Sequence, residues 1–120
     1  VKYVDVAVRL DAAAAKDRAA QELASRKFRM TWNDEWYGVA EKGNKVASIF
    51  LGALAQYFKV GIRIMAGDGD VTVVRFEKLA SGWMAGWIGA IRADRQLKEL
   101  RDDFASAFDA AGLLAGVSEG

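Results

Sequence analysis

The chain is 120 residues long, 13.1 kDa, enough for one domain with one hydrophobic core. It contains no cysteine, no histidine and no proline. Disulfides, thiolate catalysis, cysteine-held zinc or iron–sulfur clusters, Ser-His-Asp chemistry and histidine-held metals are therefore excluded. Seventeen basic residues against sixteen acidic leave a net charge of +1, no general reason to expect nucleic acid or an anionic membrane as partner.

Counted with glycine and without tyrosine, about 60% of the chain is apolar, against a usual value of about 45–50%. A small domain so composed has apolar surface to cover, in a pocket, against a second subunit or against lipid. The N-terminus lacks the charged region and apolar run of a signal peptide. The longest uncharged stretches, 46–58 and 79–91, are too short for the ~20 residues that span a bilayer. The expectation is a soluble, cytoplasmic protein of one α+β domain over residues 1–120, with no cofactor.

Val4, Val6, Val8 and Leu10 alternate with Tyr3, Asp5, Ala7 and Arg9, a half-buried strand. Asp11 reads as the N-cap of a helix over 12–26, whose narrow apolar face is Ala12, Ala15, Ala19 and Leu23. Phe28, Met30 and Trp32 mark a second strand, 33–35 a turn and 36–42 a third strand. Val46, Ile49, Phe50, Ala53, Leu54 and Tyr57 follow helical spacing and predict a short helix. A fourth strand begins at Phe58, and Gly67-Asp68-Gly69-Asp70 turns it into a fifth over 71–79. Leu97, Leu100, Phe104 and Phe108 then repeat at helical spacing, with Gly112 as C-cap. The tail, 113–120, reads as frayed.

These elements predict a five-stranded antiparallel sheet with two helices packed on one face, in the order β-α-β-β-(short α)-β-β-α. The order resembles the helix-grip architecture shared by half of a TATA-binding protein (TBP-like) and by Bet v 1-like lipid-binding domains. The resemblance rests on element order, and no functional residue follows from it.

Two segments are candidates for function. The first holds Trp83, Met84, Trp87 and Ile88 among glycines that let another backbone approach. The second holds Phe50, Leu54 and Tyr57 and is apolar all round. Together they predict a non-catalytic binding or interaction module that engages a second copy (a homo-oligomer), a protein partner or a lipid surface. The alternative is a carrier of a small apolar ligand or lipid, with a pocket between the sheet and the C-terminal helix.

Asn44 and Lys45, after Gly43, form a weak candidate anion site, because their spacing is not that of a P-loop. Asp68 and Asp70 lack the further ligands of a calcium loop. Arg29, Lys59 and Arg63 stand near Trp32, Trp36, Tyr37, Phe58 and Phe76 on strands, a pattern found in single-strand nucleic-acid binders. The alternation predicts most of the aromatics toward the core and the cations toward water, so nucleic acid is not the expected partner. Asp34-Glu35 is the one acidic pair near tryptophans, and catalysis is not expected from it.

Overall fold

The computed structural model describes residues 1–43, 58–79 and 86–120, the side chains of 86–91 excepted. The elements are β1 (Tyr3–Val8), α1 (Ala12–Ser25), β2 (Arg29–Trp32), β3 (Tyr37–Lys42), β4 (Phe58–Ala66), β5 (Thr72–Glu77), α2 (Gly86–Ala110) and β6 (Leu114–Glu119). The fold is α+β. Among the described residues six strands form one antiparallel sheet in the order β2-β3-β4-β5-β1-β6.

The expected five strands are thus six. The tail read as frayed is β6, paired with β1 from Val4↔Glu119 to Val8↔Leu114. A bulge at Ala7/Val8 leaves Ala115 without a partner. That extra residue breaks the period-two pattern by which a strand is recognised.

Strand alternation sorts the two faces. Val4, Val6, Val8, Val60, Ile62, Ile64, Val74 and Phe76 are buried on one of them. Against them pack Ala15, Ala19 and Leu23 of α1 and Leu97, Leu100, Phe104 and Phe108 of α2, in one continuous cluster. Helix α1 lies over β2, β4 and β5, and α2 over β1, β5 and β6. Each fully buried aliphatic or aromatic side chain contributes about 1.5–3 kcal/mol. Among the described residues no helix is long and apolar enough to cross a membrane.

Both helix ends are built by hydrogen bonds that the sequence partly announces. The Asp11 carboxylate accepts from the Ala14 amide at 2.8 Å, capping α1. At the other end Phe28 N donates to Leu23 O and Lys27 N to Ala24 O, the paired bonds of a Schellman motif. Helix α2 ends the same way, with Leu113 N to Phe108 O and Gly112 N to Asp109 O. The residue that must take a left-handed conformation is Gly112 (φ 73°) in α2 but Lys27 (φ 71°) in α1. Only glycine adopts that conformation without strain.

Candidate functional site

At the end of the sheet where α1 stops and β4 begins lies a cavity of about 320 Å³. Phe28 and Phe58 form its sheet side, and Gln96, Glu99, Leu100 and Asp103 its α2 side. The two phenylalanine rings meet edge to face, 6.0 Å apart. Arg26, Lys27 and Lys42 stand around the rim. Arg26 is held by Glu22 at 2.8 Å and by Asp103 at 3.2 Å, so it ties α1 to α2. Lys42 sits 5.6 Å from the centre of the Phe28 ring, and neither it nor Lys27 has an ion pair among the described residues. The Gln96 amide oxygen is buried and has no hydrogen-bond partner among the described residues. A half-turn of that amide exchanges oxygen for N–H, so the group can present either to an occupant.

A larger depression, about 540 Å³, lies at the opposite end between α1 and the β4–β5 hairpin. Of its polar groups, Asp11 is committed to the cap of α1 and the Thr72 hydroxyl to Leu10 O at 2.7 Å, and Asp70 also lines it. Lysine and arginine do not line it.

The open face of the sheet carries a ladder of ion pairs. Arg29 meets Glu41 at 2.8 Å, Arg63 meets Glu77 at 2.9 Å, and Arg75 grips both oxygens of Asp5 at 2.8 and 2.9 Å. Arg63 also lies 4.5 Å from the Tyr37 ring, and Arg75 3.6 Å from the Tyr3 ring. The hydrogen bonds they donate to Glu77 and Asp5 hold these two guanidiniums above their ordinary pKa. Tyr37 was expected among the core-facing aromatics. It lies on the open face instead, because its register partner across β4 is Arg63. Phe58 and Phe76 are buried, and Trp32 and Trp36 pack at the core's edge with the Lys16 ammonium 4.5 and 5.5 Å from their rings.

The other sequence candidates fall as follows. Asn44, Lys45, Phe50, Leu54, Tyr57, Trp83 and Met84 lie outside the described residues. Trp87 and Ile88 lie in the first turn of α2, with side chains outside those described. The Asp34 carboxylate accepts from the Trp36 and Tyr37 amides, so it shapes the β2–β3 turn. Among the described residues no cluster of three acidic side chains could hold a metal ion. Sequence reasoning missed Lys27, Phe28, Lys42, Gln96 and Leu100 as neighbours. The one available signal was a helix ending in Ser25-Arg26-Lys27-Phe28 with no glycine to turn the chain.

None of the protein-family models, curated proteins or solved structures compared with this chain gives a significant match.

Proposed function

We propose that this chain is a non-catalytic binding module for a small amphiphilic anion. The carboxylate or phosphate head lies against Lys27 and Lys42, and the apolar body against Phe28, Phe58 and Leu100. This is the ligand-carrier alternative of the sequence reading, made specific, and it keeps the helix-grip likeness as its fold analogy.

The observation that carries it is Lys27. A Schellman turn there favours glycine, as α2 uses at Gly112. The chain instead keeps a lysine at about 1–2 kcal/mol of backbone strain, on the rim of a cavity and without an ion pair among the described residues. Strain retained at a cavity rim is a mark of function. The cavity volume of about 320 Å³ lies at the small end of ligand sites, about 300–1,000 Å³, which suits a small ligand.

Octanoate is the matching probe. Its binding, followed by calorimetry, should weaken at least tenfold in Lys27→Gly, about 1.4 kcal/mol, the low side of a charge-assisted hydrogen bond. The same variant should be no less stable than the parent. Relief of the left-handed strain slightly outweighs the ~0.5–1 kcal/mol of chain entropy that glycine adds to the unfolded state. Failure of octanoate, octyl phosphate and octyl sulfate to bind would overturn the reading.

One observation keeps the interaction reading as a second possibility. Lys42 and Phe58, which closely flank the apolar segment bearing Phe50, Leu54 and Tyr57, both line this cavity. In that reading a partner or lipid surface is engaged by those residues and by Trp83, Met84, Trp87 and Ile88. A blue shift of tryptophan fluorescence on adding vesicles, without octanoate binding, would favour it.

A further inference from the structure

Among the described residues the sheet has two edges, β2 and β6. Strand β2 is four residues long and bears Arg29, the charged and short edge that discourages pairing. Strand β6 runs six residues with no charge before Glu119. Val117 is 51% exposed, the one large apolar side chain so open among the described residues.

The hydrogen-bond parity of this edge can be read from its end. Tyr3 N donates to Gly120 O, and Gly120 N to Tyr3 O, at 3.3 and 3.1 Å, so Tyr3 and Gly120 exchange both bonds. Such pairs alternate along an antiparallel ladder. Asp5↔Ser118 and Ala7↔Gly116 are then the next bonded pairs, and Val117 and Glu119 turn their N–H and C=O groups away from β1. At the other end of β6 the Leu114 carbonyl is taken by the Arg9 guanidinium at 2.7 Å. The free edge is therefore short and centred on Val117.

We propose that β6 pairs antiparallel with β6 of a second copy, with Val117 opposite Val117 on the two-fold axis. That register pairs the outward N–H and C=O of Val117 with their own symmetry mates. It sets Glu119 opposite Ala115, so the two carboxylates stay apart. A register centred on Glu119 would crowd two carboxylates, each already held by its own Arg101 at 2.9 Å, and one centred on Ala115 would run into the bulge and the Arg9 contact. Val117 shares a face with Val6, so the paired valines extend the apolar layer beneath α2. The two sheets become one of twelve strands. The edge shares no residue with the cavity rim, so this inference stands or falls apart from the proposed ligand.

Sedimentation of the parent chain should show a monomer–dimer equilibrium at micromolar concentration. Val117→Lys should make it monomeric while its circular dichroism stays unchanged, since the side chain is half open. Val117→Cys places the only two thiols about 5.5 Å apart between Cα atoms, within disulfide reach. Mild oxidation should then give a covalent dimer at the parent's sedimentation coefficient. A parent that stays monomeric into the millimolar range overturns the proposal. So does a dimer that Val117→Lys leaves intact, or one in which Val117→Cys does not cross-link.

Discussion

Phe104→Ala tests the packing that fixes α2 on the sheet. Phe104 is fully buried, its ring centre 4.8 Å from Phe76 on β5 at 69° and 6.2 Å from Phe108 one turn on. Truncating a buried phenylalanine costs about 3–5 kcal/mol, and the edge-to-face partner places this site in the upper half, near 4 kcal/mol. A chain of this length has about 6–18 kcal/mol of stability in total. Unfolding entropy of about 2.1 cal/mol/K per residue converts the loss to a melting point roughly 16 °C lower. Phe104→Leu keeps most of the volume and should cost less than about 1.5 kcal/mol. Ser106→Ala, exposed on the same helix, should stay within about 0.5 kcal/mol of the parent. Urea melts followed by the intrinsic tryptophans would measure all three. A Phe104→Ala loss below about 1.5 kcal/mol, or one equal to that of Phe104→Leu, would refute the packing argument.

Two further outcomes follow from the charges. A double-mutant cycle on Asp5→Asn and Arg75→Met should return a coupling of about 1–2 kcal/mol, because the pair is bidentate and only 13% and 23% exposed. The Arg29–Glu41 pair, 60% and 34% exposed, should couple by less than about 0.5 kcal/mol, and equal couplings would sink the distinction. Asp94 accepts from the Val1 ammonium at 2.7 Å, Lys98 at 3.2 Å and Lys78 at 3.3 Å, contacts that hold its carboxyl well below the ordinary range. A depressed folded pKa stabilises above the unfolded value of about 3.9 and loses that stabilisation as pH falls below it. Asp94→Asn should therefore be destabilised at pH 7, with the gap to the parent closing below about pH 4; a gap that does not change with pH would contradict this.

Most of the helix–sheet layer was legible in the sequence, because its signals are local. Valines two apart gave β1, an aspartate before four alanines gave the start of α1, and Gly-Asp-Gly-Asp gave the β4–β5 turn. What escaped reading was set by distant partners. Strand β6 pairs with β1 across more than a hundred residues, and its bulge breaks alternation at Ala115. Tyr37 was placed by an arginine 26 positions away, which outweighs an aromatic's preference for the core. Lys27 reads as an ordinary surface lysine until its φ of 71° is known. The cavity has the same origin: α1, the sheet and α2 each supply a few residues, and none of these contributions forms a motif alone.

The near-zero net charge conceals an uneven distribution that bears on the choice of ligand. On the open face, each of the three strand arginines at 29, 63 and 75 already faces a carboxylate. A phosphate backbone laid there would first have to displace Glu41, Glu77 or Asp5, and would meet those acids' charge while doing so. Any such exchange gives up a protein ion pair and repels the incoming anion, so counterion release gains little. At the cavity the balance is different. Arg26 is engaged, Lys27 and Lys42 have no ion pair among the described residues, and Lys42 lies 5.6 Å from the Phe28 ring, while Glu99 and Asp103 line the same cavity. Under the proposed reading an anion there meets two lysines without breaking an ion pair of theirs, and Asp103 stays with Arg26.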